Sequence, residues 1–268
     1  MAEKFVLNPL PLAALSALLS VTVGVASPLL FSQSVFAQLP PVPSGGGRPG
    51  GTIAGGSRFA PPPPPSDMGA PGSRSSGASR GICLGSQDII ALMPIYPQGR
   101  SQLVWGLTTV DHPTFWFYVP SVTGPAAEME FVLRDQSGQK LYETKADLTQ
   151  AGVMGVTLPT TAPTLTTGDR YQWYFKVRCP AAPSQLPKYV NGWIERRAIA
   201  PTLASQLQQA TPAQRAALYA QQGIWFDAVT TLAQLRQSQP NDATLAQQWA
   251  ELLESVQLPE LATQPLLK

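Results

Sequence analysis

The chain has 268 residues, a formal net charge of +2, two cysteines and one histidine. So small a charge gives no electrostatic drive toward nucleic acid, and two cysteines with one histidine cannot build a zinc site of the usual kind. With no phosphate-cradling glycine loop and no G-x-S-x-G set between a predicted strand and a helix, the composition speaks to location and organisation rather than to a reaction.

The N-terminus reads as a secretory signal. Lys4 gives a weak positive start, residues 10–31 are apolar and uncharged, and Val35 and Ala37 occupy the small-residue positions before a cleavage between Ala37 and Gln38. The expectation is an exported protein, periplasmic or extracellular, that meets the membrane only if this segment stays uncleaved. No cysteine follows closely, so a lipid anchor is not indicated.

Residues 38–80 carry ten prolines and ten glycines, including a proline run at 61–65. Such a segment has little to bury, so it reads as a disordered linker, stiff where proline-rich and flexible where glycine- and serine-rich. Its four arginines against one aspartate make it basic, the character of a solvated tether or of one drawn to anionic envelope polymers.

From residue 81 to about 200, short strands alternate with turns. The predicted strands are 88–93, 103–107, 114–119, 128–134, 140–144, 153–158, 171–178 and 189–196. Turn signals at Pro97-Gln98-Gly99, Ser137-Gly138 and Thr167-Gly168-Asp169, with no helical period between, predict an antiparallel β-sandwich of immunoglobulin-like type. In the strand at 171–178, Tyr171, Trp173, Phe175 and Val177 share one face, which Cys179 continues. Phe131 and Leu133 do the same in the strand at 128–134.

Pro113-Thr-Phe-Trp-Phe-Tyr-Val-Pro120 breaks that alternation. All six residues between the prolines are aromatic or β-branched, and both faces are apolar: Phe115, Phe117 and Val119 on one, Thr114, Trp116 and Tyr118 on the other. This strand is therefore central and covered on both sides, or it displays Trp116 and Tyr118 as a ligand platform.

After residue 201 the period becomes helical. A short helix near 202–210 precedes Thr211-Pro212, an N-cap followed by an N1 proline. Gly223 ends that helix, Pro240 follows the next, and Asn241 or Asp242 caps another that runs to about 256. Ala216, Tyr219, Ala228, Leu232, Leu235 and Pro240 fall at the offsets of a single tetratricopeptide-type repeat. One repeat cannot form a solenoid, so these residues predict a helical hairpin packed on the sandwich or on a partner.

Several stretches together resemble one family: Ser79-Arg80-Gly81-Ile82-Cys83, Gly106-Leu107-Thr108, residues 113–120, residues 171–179, Gly192-Trp193-Ile194-Glu195-Arg196 and Gly223-Ile224-Trp225-Phe226-Asp227-Ala228. The family is one of exported cyanobacterial proteins defined only as a domain of unknown function. The resemblance implies a β-rich exported domain with a helical tail and carries no activity.

The expected layout is a signal peptide (1–37), a linker (38–80), a β-sandwich (81–200), a helical hairpin (201–258) and a tail (259–268). Cys83 and Cys179 are the only cysteines and are expected to form a disulfide in an exported protein. His112 beside Asp111 reads as a strand-end residue rather than a general base. Glu195 reads as one half of an ion pair with a neighbouring arginine, and Glu128 with Glu130 as a solvated face. No catalytic residue, metal site or cofactor is expected. The leading reading is a non-catalytic interaction module with an unknown protein partner; the alternatives are a carbohydrate-binding envelope protein that takes a polysaccharide on Trp116 and Tyr118, and an unrecognised hydrolase.

Overall fold

A computed structural model of the chain describes residues 56–68, 71–77, 84, 87–122, 126–181, 184 and 186–267. The expected signal segment, its Ala37–Gln38 cleavage point and Cys83 lie outside the described residues.

The strands are β1 (Ile90–Ala91), β2 (Ile95–Gln98), β3 (Ser101–Thr108), β4 (Thr114–Val119), β5 (Ala127–Arg134), β6 (Lys140–Leu148), β7 (Gly152–Thr157), β8 (Arg170–Arg178) and β9 (Lys188–Arg196). They make a small sheet of order β1-β4-β7 and a large one of order β2-β3-β9-β8-β5-β6. The aromatic strand, β4, is the middle strand of the small sheet. Its Phe117 stacks on Phe175 of β8 with ring centroids 4.1 Å apart, and Phe115 meets Phe131 of β5 at 4.8 Å. The alternation in β5 and β8 is thus an inward row of apolar side chains, as the period of two requires.

Two features correct the expected sandwich. The pair β3–β9 is parallel, with Trp105 opposite Trp193 and Leu107 opposite Glu195, so the large sheet is mixed rather than antiparallel, and the immunoglobulin-like arrangement is not reproduced. Strand spacing shows that strands exist but says nothing of which ones pair. Close approach here depends on Gly192: a Cβ at that position would lie 2.5 Å from the Trp173 indole and 2.7 Å from the Val104 carbonyl oxygen. The second feature is β2, which pairs antiparallel with β3 although its Pro97-Gln98 reads in sequence as part of a turn.

Four helices follow: α1 (Pro201–Gln209), α2 (Pro212–Gln221), α3 (Trp225–Ser238) and α4 (Ala243–Glu254). Thr211 and Gln214 form a capping box on α2, and the Asp242 carboxylate accepts from the amides of Thr244 and Leu245 to cap α4. Gly223 takes φ +71° between α2 and α3, where a side chain would be strained. The Trp225 indole nitrogen donates to the Leu92 carbonyl at 2.7 Å, and the Phe226 ring lies edge-on to Phe115 at 5.3 Å. These contacts seat α3 against the small sheet.

The linker expectation is corrected over its described part, 56–68 and 71–77. Ser73 bridges to Asn191 and Ser75 to Ile90, extending the small sheet beyond β1 and touching β9. Arg74, expected on a solvated basic tether, donates to the Val256 carbonyl at 2.6 Å and lies within 3.4 Å of that of Gln257. It answers the carbonyls left open just beyond α4, and burial pushes its pKa down. Phe59 is 6% exposed. Prolines do not forbid order when an aromatic side chain and backbone amides beside them find partners. Gly50–Lys268 form one compact unit.

Candidate functional site

The outer face of the small sheet is only partly covered by α3, and a groove of about 750 Å³ remains beside it. Thr114 and Trp116 of β4 with Gly155 and Thr157 of β7 form its floor. Gln234 and Gln237 of α3 make one wall, and Asp147 near the end of β6 with Gln150 in the turn after it makes another. Leu267 closes one end. Its amide donates to the Val153 carbonyl at 2.8 Å, so the C-terminal tail adds a short parallel rung to β7.

The floor follows from glycine. A Cβ on Gly155 would sit 2.9 Å from Thr114 Cγ2 and 3.2 Å from Trp116 Cη2. Glycine there leaves the rim of the indole open to the groove. The rest of that side chain is committed: Trp116 is 6% exposed, and its Nε1 donates to Thr230 Oγ1 of α3 at 3.0 Å. Among the described lining residues Asp147 carries the only ionisable side chain. The groove therefore offers hydroxyls, amides and an aromatic rim in a nearly neutral field.

The two candidate platform residues are separated by the fold. Trp116 lines the groove by its edge. Tyr118 is half-buried, lies opposite Ile90 and Val153, and is not among the lining residues. At 6% exposure Trp116 presents no open ring face of the kind that stacks on a sugar. All six tryptophans are buried, and Trp105, Trp173, Trp225 and Trp249 are fully so. The groove-lining glutamines and Thr157 carry no motif. Only their position on α3, the turn between β6 and β7, and β7 singles them out.

Several other polar side chains are paired within the protein, although His112 Nε2 is buried without a hydrogen-bond partner. His112 Nδ1 lies 3.2 Å from Asp111 Oδ1, and that hydrogen bond holds the Asp111 carboxyl below its usual range. Glu195 pairs with Arg197 at 2.8 Å and Arg170 at 3.3 Å. The ion pair expected there is present, with Arg170 of the neighbouring strand as an added partner. Glu130 is 7% exposed and is enclosed by Lys176 at 2.8 Å and Arg178 at 3.3 Å, so it is not the solvated face expected of it. Cys179 is partly buried against the core; its expected partner Cys83 is outside the described residues.

Asp227, in the first turn of α3, is a residue whose importance only the structure reveals. Its carboxylate accepts from Thr108 Oγ1 at 2.8 Å, Thr109 Oγ1 at 2.5 Å and the Thr109 amide at 3.1 Å. It is 6% exposed, and burial raises its pKa against the pull of those hydrogen bonds. It ties α3 to the end of β3.

Among the described residues no group of three or more His, Cys, Asp or Glu side chains is placed to hold a metal ion. No helix among them is long and apolar enough to cross a membrane.

Two packed sheets with a helical cover and a neutral groove define a β-rich, helix-backed domain. Residues 75–266 match the family described as Domain of Unknown Function (DUF928), and the chain belongs to that family. No curated protein matches the chain.

Proposed function

We propose that the chain is an exported, non-catalytic interaction module whose recognition face is the groove between the small sheet and α3. The observation that carries this reading is the lining: amides of Gln150, Gln234 and Gln237 and hydroxyls of Thr114 and Thr157 around an aromatic rim. A few convergent polar groups on a partly apolar floor are the usual way to hold an uncharged polar ligand. The occupant favoured is an extended, uncharged segment of a partner protein. The same lining supports a second reading, a neutral envelope polysaccharide held edge-on at Trp116 and by the amides rather than by ring stacking. Export rests on residues 1–37, and the same setting supports a Cys83–Cys179 disulfide. In this reading α2 and α3 are a single tetratricopeptide-type hairpin that docks on a sheet instead of on another repeat.

Gln234 is exposed at the groove wall, so Gln234→Trp fills the groove without touching the core. A photo-crosslinker at Gln150 is expected to capture one envelope protein in the unblocked chain and none in the Gln234→Trp chain. Retention on neutral polysaccharide that is lost in Gln234→Trp would instead select the sugar reading. Crosslinking and retention unaffected by the block would reject the groove as the recognition face.

A further inference from the structure

We propose that the helical layer holds a second recognition site, a groove for an extended peptide in which an aromatic residue precedes prolines, filled in cis by residues 57–62 of the same chain. This site is separate from the groove on the small sheet and does not rest on it.

The receptor is built where helix ends meet. Phe59 packs edge-on against Trp225 at the start of α3, with centroids 5.0 Å apart and planes at 76°. Its amide donates to Ser255 Oγ, just past α4, at 3.2 Å. The Ala60 amide donates to the Ala220 carbonyl, in the last turn of α2, at 3.0 Å. Pro62 lies over Gly223, where a Cβ would come within 2.7 Å of the proline Cδ. Glycine at 223 thus does two things: it turns the chain from α2 to α3 and it leaves room for the proline ring.

The pattern is that of peptide recognition. One side chain fills a pocket, backbone groups are read by hydrogen bonds, and the rest of the segment is pre-set in an extended form. Prolines 61–65 have no N–H to satisfy. The amides of Phe59 and Ala60, which precede them, both find acceptors on the helices. Nothing further along the run demands a backbone partner, so the segment can dock and leave as a unit.

The receptor elements have anchors of their own besides the arm. Trp225 is fixed by its bond to the Leu92 carbonyl, α2 by its capping box and α4 by Asp242. The family region spans 75–266, so the receptor belongs to the domain while the arm precedes it. A segment of matching chemistry supplied in trans meets the same contacts, but it competes with a tethered arm whose effective concentration is on the order of millimolar.

The test uses the full chain and a labelled peptide of residues 56–66. Phe59→Ala empties the pocket. The peptide is expected to bind the Phe59→Ala chain about tenfold or more tighter than it binds the unaltered chain, by fluorescence anisotropy, the difference being the competition of the tethered arm. A peptide with alanine in place of the phenylalanine is expected not to bind. Adding Gly223→Asn, which tolerates the left-handed backbone but places a Cβ against Pro62, is expected to abolish binding. Equal binding to both chains, or binding indifferent to Gly223→Asn, overturns the proposal. A second measurement covers a Phe59→Ala chain that fails to fold: a protease site at the exposed Ser66–Asp67 turn in the otherwise unaltered chain. After cutting, the arm is expected to remain bound and to be displaced by the labelled peptide. A body that neither retains the arm nor binds the peptide, or that unfolds when the arm leaves, overturns it.

Discussion

Asp227 and Gly192 carry more of this fold than their composition suggests. An Asp whose folded pKa is raised binds its proton more tightly in the native state than in the unfolded chain. Its contribution is then fully present below the ordinary carboxylate pKa, and stability falls as pH rises through the folded value. Urea unfolding from pH 4 to 8 is expected to show that decline, and Asp227→Asn is expected to flatten it. Asp227→Ala leaves the Thr109 amide without its acceptor and is expected to cost about 1–3 kcal/mol at any pH in the range. At Gly192 the neighbours of an added methyl are a backbone oxygen and a fully buried indole. Neither yields easily, and Gly192→Ala is expected to cost about 1–3 kcal/mol, read as a lower denaturation midpoint with an unchanged slope.

Among the elements, β4 was the most legible. Its composition marked it as a strand with two apolar faces, to be covered on both or displayed on one, and the structure packs the large sheet on one face and α3 over Trp116 on the other. The cover is specific, because the Trp116 nitrogen needs an acceptor and Thr230 provides it. Thr230→Val keeps the shape and removes the acceptor. It is expected to lower stability by about 1–3 kcal/mol in thermal or urea unfolding, a loss that Trp116→Phe at the other partner should largely relieve. The helix starts were also legible, since Thr211-Pro212 and Asp242 are local signals read within one turn. The strand β2 and the arm at 57–62 were not. Each is short and proline-containing: in β2 the proline reads as a turn although the next strand pairs with it directly, and the arm is ordered by helix ends more than 150 residues away.

At the scale of the molecule, the sheets and helices form one body because α3 touches both sheets' strands, through Thr108 of β3 and Trp116 of β4. A single cooperative transition, coincident by fluorescence and by far-ultraviolet dichroism, is therefore expected. The proposed Cys83–Cys179 bond would close a loop of nearly 100 residues, and its reduction is expected to lower stability by about 4–5 kcal/mol in the chain-entropy picture. A non-reducing mass that shows two free thiols removes that expectation.

The amino-acid sequence alone set what depends on near neighbours: the periods that make strands and helices, the caps and turns, the aromatic strand's two apolar faces, and the family. Hydrophobic period and capping act within a few residues, so they can be read along the chain. Pairing order, the parallel β3–β9 contact, the burial of Asp227, the neutral groove and the docked arm were decided only by tertiary structure. Each joins residues far apart in sequence, and the close approach that creates it leaves no local mark beyond a glycine whose purpose appears only when its neighbour is in place.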